Sequence, residues 1–241
     1  MSALVKFIVM IFVSLLFFSC QWDINLGEGE RGNGNVVTEA RNSDESFTVV
    51  KAAEGLDVYI TQDKKTSISV EADENIIGLI RTDIKNGILR IHTEERIGRA
   101  KSKKVFVSLP EITSLRSSSG ADLYTTAVIK ADRIELDSSS GADLKVEVEA
   151  NEVDCDASSG SDIVVSGKAK ILYADASTGS DIKARKLLVT KCIAKASTGA
   201  DISVNATDEL VANTSTGGDV NYTGDPIVKK SKSTAGTVSK N

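Results

Sequence analysis

The sequence predicts an all-β fold, a single-stranded parallel β-helix (β-solenoid) of about 18–21 residues per repeat. Two patterns carry that expectation: a short motif that returns six times at near-constant spacing, and an apolar/polar alternation of period two that never gives way to a helical period. Composition agrees. Hydrophobic residues make up 41% of the 241-residue chain but aromatics only 5%, so the core is built from small aliphatic side chains that suit a narrow interior.

The N-terminus comes first. Lys6 supplies one positive charge, and Phe7 to Phe18 runs apolar except for Ser14. Twelve helical residues span about 18 Å, against roughly 30 Å of bilayer hydrocarbon. The stretch is too short to cross a membrane and fits a signal-peptide apolar region. Ser19 then stands before Cys20, the arrangement that lipoprotein signal peptidases read. Residues 1–19 are therefore expected to be a lipoprotein signal peptide and Cys20 the lipidated residue, although Phe17 departs from the usual Leu. Gln21 rather than Asp after the cysteine favours the outer membrane, with the lipid as the link to it.

Residues 20–35 are Gly-, Asn- and charge-rich, include Trp22, lack an apolar period, and read as a flexible tether. Residues 36–241 read as the solenoid body. Its early strands are marked by Leu56, Val58 and Ile60, by Ile68 and Val70, by Ile88 to Ile91 and by Val105 to Leu109. Asn75 to Ile80 is the one stretch that could turn briefly helical.

Regular repeats occupy residues 115–238. The motif Ser-Ser/Thr-Gly-x-Asp-apolar begins at Ser118, Ser139, Ser158, Ser177, Ser197 and Ser215. Its glycines, Gly120, Gly141, Gly160, Gly179, Gly199 and Gly217, are 21, 19, 19, 20 and 18 residues apart. A degraded seventh copy begins at Ser233. Strands rise about 3.3 Å per residue, so one repeat makes a circuit of two or three short strands, and turns stack about 4.8 Å apart. Equivalent residues then form columns. Parity in the second repeat points Ile134, Leu136, Ser138, Ser140, Ala142, Leu144, Val146 and Val148 inward, since the opposite choice would bury five charges. The same rule points Cys155, Ala157, Ser159 and Ser161 inward.

Parity thus predicts an inward hydroxyl column of Ser119, Ser140, Ser159, Thr178, Thr198 and Thr216, beside a glycine column at a bend that needs φ > 0 or close backbone approach. A disulfide between Cys155 and Cys192 is open to an exported protein, but both fall at inward positions, which predicts two buried free thiols. The column Asp122, Asp143, Asp162, Asp181, Asp201 and Asp219 needs an account, because carboxylates about 4.8 Å apart repel by roughly 0.9 kcal/mol per pair even in water. Three readings stand open: backbone or serine capping at the bend, a cation column, and a ligand-facing acidic stripe. The calcium repeat G-G-x-G-x-D is not matched.

The repeated S-[ST]-G-x-D, together with Gly34-Asn35 and Gly55 to Gln62, resembles the autotransporter-adhesin, head-GIN-domain lipoproteins (DUF2807) of Bacteroidetes. The resemblance covers residues 33–241 and implies a right-handed parallel β-helix in the cell envelope. It brings no catalytic residues and no established activity. Asp23, Glu28 and Glu30 loosely resemble the acidic surface-export signals of some Bacteroidetes lipoproteins.

No catalytic residue, metal site or cofactor is expected. The single histidine, His92, lies in a strand and alternates outward, and zinc sites or Ser-His-Asp triads need histidine in company that is missing here. No phosphate-binding glycine loop occurs. Polysaccharide-cleaving β-helices set two carboxylates in different environments, which a column of equivalent aspartates does not provide. A net charge of −5 argues against nucleic acid. Lys229, Lys230, Lys232 and Lys240 are expected to protect the last open edge. The expectation is a non-catalytic envelope module that binds glycan, matrix or another envelope protein. A structural or self-assembling scaffold is the alternative, a polysaccharide-active enzyme a distant third, and the oligomeric state is open.

Overall fold

The computed structural model describes residues 29–232 and 235–241. The expected signal peptide, Cys20, the tether up to residue 28 and Ser233 and Thr234 of the seventh motif copy lie outside the described residues. Among the described residues, seventeen strands join one continuous sheet, which coils into a solenoid of about seven turns. A three-residue 3₁₀ turn, Ile77–Leu79, falls within the stretch that sequence marks as briefly helical.

Chain order and stacking order differ in the first half. β1 (Val36–Arg41) is followed by β2 (Val49–Ala52) and β3 (Asp57–Gln62), which form one turn. The chain then leaves through β4 (Ser67–Asp73) and the hairpin of β5 (Ile80–Lys85) and β6 (Ile88–Thr93), and reaches β7 (Lys103–Leu109). β6 and β7 stack in parallel on one side of β2 and β3. β8 (Ser114–Ser117) and β9 (Asp122–Thr125) stack on the other side. The first turn in sequence is therefore enclosed between two later ones. Antiparallel pairing of β4 with both β1 and β7, and of β5 with β6, closes this end of the stack.

From there the turns follow in order. β10 (Ile129–Ser139) covers about half a circuit, whereas β11 (Asp143–Ser158), β12 (Asp162–Ala176), β13 (Asp181–Ser197) and β14 (Asp201–Ser215) each run most of one, and each pairs in parallel with the next. β15 (Asp219–Thr223), β16 (Ile227–Lys232) and β17 (Thr237–Lys240) finish the far end. Alternation does what the parity rule requires: Leu144, Val146 and Val148 are buried while Lys145, Glu147 and Glu149 are exposed. One apolar column stacks Leu123, Leu144, Ile163, Ile182, Ile202 and Val220, and another stacks Ile134, Val153, Leu172, Cys192 and Leu210. Each such buried aliphatic side chain contributes about 1.5–3 kcal/mol.

The corner corrects the inward hydroxyl column. Ser119, Ser140, Ser159, Thr178, Thr198 and Thr216 are exposed, and all have φ between 48° and 56°. The glycine that follows each also has positive φ, 67° to 74°. Two successive residues at positive φ, with Ala121 N–H donating to Ser118 C=O at 3.1 Å, give the φ signature of a type I′ turn. Both central residues project outward, and because the turn takes two residues, parity resumes on its far side as if nothing had happened. The inward small column is instead Ser117, Ser138, Ala157, Ala176, Ala196 and Thr214, with Ser117 and Ser138 hydroxyls 2.9 Å apart. The glycine amides carry a ladder of their own: Gly141 N–H reaches Ser159 C=O and Gly160 N–H reaches Thr178 C=O, both at 3.1 Å.

The end of the predicted tether is also corrected. Residues 29–35 are pinned: Glu30 bridges Ile97, and Gly32 N–H donates to Arg99 C=O at 3.0 Å. The fully buried Asp73 carboxylate accepts backbone N–H from Gly34 at 2.7 Å, Ser102 at 3.0 Å and Lys101 at 3.1 Å. Burial would raise its pKa, but these N–H donors and the Lys101 charge outweigh burial and hold it below the usual carboxylate value.

Candidate functional site

The outer strand face next to the corner brings the predicted aspartates into register. Asp122, Asp143, Asp162, Asp181, Asp201 and Asp219 are direct neighbours on successive turns. The structure adds Asp57 above Asp122, then Lys104 above Asp57, and Thr237 closes the column below Asp219. The first turn has the same corner, with Glu54 and Gly55 at φ 64° and 68° in the hydroxyl and glycine positions. Glu54 replaces the serine, which hides this copy from a motif reading; Gly55-Leu56-Asp57 was the remaining signal. Glu54 accepts Thr93 N–H at 2.7 Å and lines a cavity of about 520 Å³ at this corner.

Backbone capping does not explain the column as a whole. Asp219 accepts Thr237 N–H at 2.9 Å, together with the Thr237 hydroxyl, but each aspartate's own N–H is spent on the turn before it, as from Asp143 to Ala121 C=O at 3.1 Å. Among the described residues, no serine of the motif caps these carboxylates. Lys183 compensates two of them, its ammonium lying 2.6 Å from Asp162 and 3.2 Å from Asp181, and the Tyr124 hydroxyl donates to Asp122. Burial first, then the charges of Asp143 and Asp57, push the Asp122 carboxyl above its ordinary value. Burial and the neighbours Asp181 and Asp219 do the same to Asp201. Among the described residues, no three acidic, histidine or cysteine side chains converge as a metal site would require.

A second acidic column, which the motif reading missed, flanks the corner on its other side. Asp137, Asp156 and Asp175 stack on successive turns, with Arg116 above and Lys195 below. Burial and then Asp137 and Asp175 raise the Asp156 pKa. The signal was an aspartate two residues before the motif in three repeats.

Beyond the aspartates runs a column of different character. Phe106, Tyr59 and Tyr124 stack with ring centroids 5.2 and 5.5 Å apart, and below them come Lys145, Val164, Lys183 and Ser203. From Tyr59 down to Ser203 these side chains line a trough of about 740 Å³ on the outer sheet face. A β-bulge shapes its lower wall. Pairing of β13 with β14 jumps from Ala184–Val204 to Leu188–Asn205, so Arg185 to Leu187 are extra residues, and Arg185 and Lys186 are exposed at the trough. The 20-residue spacing from Gly179 to Gly199 carried this irregularity in the sequence. The trough can hold an extended ligand through aromatic, hydroxyl and cationic groups.

His92 is not in it. Its ring lies outward on the β5–β6 hairpin but keeps only 16% exposure, with Nε2 2.8 Å from Asp83. Cys155 and Cys192 are buried free thiols, as parity predicts, two turns apart. Burial drives both thiol pKa values up, that of Cys192 to about 12. At the last turns Lys229 pairs with Glu209 at 2.7 Å, and Lys240 with Asp225 at 2.5 Å.

A family profile described as "Putative auto-transporter adhesin, head GIN domain" matches residues 46–226. The crystal structure of a "putative adhesin" from Bacteroides fragilis NCTC 9343 is 19% identical and superimposes with a TM-score of 0.81, covering 88% of this chain and 99% of that one. A "putative adhesin" from Parabacteroides merdae ATCC 43184 is 20% identical, with a TM-score of 0.71 and 88% and 98% covered. A "putative lipid binding protein" from Parabacteroides distasonis ATCC 8503 is 21% identical, again with a TM-score of 0.71 and 88% and 98% covered. None of the curated proteins matches. At these identities the likeness is one of fold.

Proposed function

Because the chain belongs to the auto-transporter adhesin, head GIN domain family, we propose that it is a non-catalytic binding module of the cell envelope. It is held to the outer membrane by lipid on Cys20 and binds through its outer sheet face. The observation that carries this reading is the trough between the Tyr124 turn and the Arg185–Lys186 bulge: a rigid, solvent-facing surface whose polar groups come from at least four turns. Rigidity matters because a surface already held in place loses little conformational entropy on binding. The lipid anchor rests on the apolar run Phe7 to Phe18 followed by Ser19-Cys20.

Protease treatment of intact cells, alongside a Cys20→Ala variant, tests the location. Loss of the full-length protein in wild-type cells, and its release from the membrane fraction in the variant, are the expected results. Protection in intact cells with digestion after permeabilisation would place the module in the periplasm and end the adhesin reading.

A second reading, a scaffold that stacks through its C-terminal end, draws on Ile227. This side chain is 73% exposed at the start of β16, whose outer edge is unpaired among the described residues. A mass that stays monomeric as concentration rises eliminates it.

A further inference from the structure

Resting on the reading of a binding module, we propose that the trough takes a linear acidic glycan, a polysaccharide that carries carboxylate or sulfate groups along its length. Four observations converge on this occupant.

The first is shape. The trough follows the stacking axis through Tyr124, Lys145, Val164, Lys183 and Ser203, four turn-to-turn steps that span about 19 Å. That length and a volume of about 740 Å³ suit an extended chain of several sugar rings rather than a compact metabolite.

The second is charge. Lys145, Arg185 and Lys186 have no carboxylate partner among the described residues and outnumber the one acid of the lining, Glu147, a local cationic surplus on a chain of net charge −5. The Asp column runs alongside and is closed to an anion. A polyanion is therefore repelled from the corner and attracted to the trough, which fixes its path along the axis.

The third is the platform at the upper end. Tyr124 stacks on Tyr59 through one ring face, and its other face is turned towards the Lys145 turn. An aromatic face at the mouth of a polar channel is what the apolar C–H face of a sugar ring stacks on.

The fourth is the floor. β11, β12 and β13 are paired on both sides, so they leave no free edge to which a peptide strand could be added. Recognition is left to side chains, which suits a hydroxyl- and acid-bearing sugar better than a peptide backbone.

The test uses the lipid-free chain carrying Cys20→Ala. Its affinity for polygalacturonate, chondroitin sulfate and neutral dextran is measured by calorimetry at low and high salt. The same is done for Arg185→Glu/Lys186→Glu, for Tyr124→Ala and for the control Lys229→Glu, each checked by thermal unfolding. Wild type is expected to bind at least one anionic polymer about tenfold tighter than dextran, with salt weakening it. The double reversal is expected to lose about tenfold or more at unchanged melting temperature, while Lys229→Glu keeps the affinity. The two anionic polymers tell carboxylate from sulfate.

Equal binding of dextran, or anionic binding indifferent to both trough variants, overturns the proposal but leaves the binding module standing. So does failure to bind any polymer when cells that carry the protein still adhere through it to a surface. Loss of both polymer binding and adherence overturns the proposal and the module reading together.

Discussion

The Lys183 ammonium lies 2.6 Å from the carboxylate of Asp162 on the preceding turn, so one cation reaches across the seam between two turns of the aspartate column. With Asp181 at 3.2 Å it serves two of the seven in-register aspartates. Lys183→Met should leave both carboxylates uncompensated and lower stability by up to about 1 kcal/mol, a modest figure because the pair is partly exposed. Thermal unfolding at low and high salt checks this. The loss should shrink at high salt, and a loss that ignores salt would mean that the lysine stem packs rather than pairs.

The column also makes a prediction about pH. Asp122 and Asp201 have folded pKa values above their ordinary values, with burial the largest cause in each. The folded state therefore holds protons more tightly than the unfolded chain at these sites. Their contribution is unfavourable once pH exceeds the folded pKa and is relieved as pH falls through it towards the unfolded value of 3.8. Asp201→Asn should stabilise the protein at pH 7 by about a few tenths of a kcal/mol at low salt, a small figure because the carboxylate is exposed and water screens its neighbours, and the gain should vanish in acid. A destabilised variant at neutral pH would mean that this carboxylate holds something the described residues do not include.

The corner gives the third prediction. Thr178 sits at φ 55°, a conformation that β-branched residues adopt at a cost. Asn tolerates it better, so Thr178→Asn should raise stability by about 0.5–1 kcal/mol. Gly179→Ala should lower it by about 1–2 kcal/mol, although the added Cβ would meet nothing within 4 Å. That penalty is purely dihedral. At Gly218 the same substitution would drive Cβ into the backbone of Ala196 and Ser197, so the loss there should be larger. Chemical denaturation of the three variants orders them, and equal losses at Gly179 and Gly218 would refute the distinction.

These variants also mark what was legible in the sequence. Period-two alternation found the buried faces of β10 to β14, because a core that is apolar on one parity and charged on the other has one low-energy choice. It failed at Ser140 because a two-residue turn preserves parity while sending both its residues outward. The first corner escaped because Glu54 stands where later copies carry serine or threonine, although Gly55 and Asp57 were in place. That β6 and β7 stack outside β2 and β3 is a fact of long-range pairing with no local signature. The trough was illegible for the same reason. Tyr59, Tyr124 and Lys145 are far apart in sequence and meet because turns stack, and the bulge at Arg185 showed only as one extra residue in a repeat.

Cys155 and Cys192 supply a redox prediction. Both are buried, and burial holds both thiols far from ionisation, Cys192 at about 12. The thiolate is the reactive form, so the native Cys20→Ala chain should react with a thiol reagent at neutral pH only as fast as it unfolds. Two equivalents should react promptly in denaturant. Prompt reaction of the native protein would mean that these turns open locally.

Asp73 supplies the last prediction, and it concerns how the N-terminal segment 29–35 is held to the body. Its two carboxylate oxygens gather backbone N–H groups from both sides of a junction: Gly34 from the N-terminal segment, and Lys101 and Ser102 from the loop before β7. Gly32 packs against the same carboxylate so closely that a Cβ there would collide with it. Asp73→Asn keeps the shape but turns one acceptor oxygen into an NH₂ donor, which faces at least one N–H with no partner to offer. The segment 29–35 should then detach while the solenoid persists. Hydrogen exchange should accelerate at Gly34 and Ser102 and stay slow at the Gly160 corner amide, which is held by Thr178 C=O at 3.1 Å. Below the depressed pKa of Asp73 the wild type should show the same local release, because protonation replaces an acceptor with a donor just as the amide does. If exchange at Gly34 is already fast in the wild type, the carboxylate does not pin the segment.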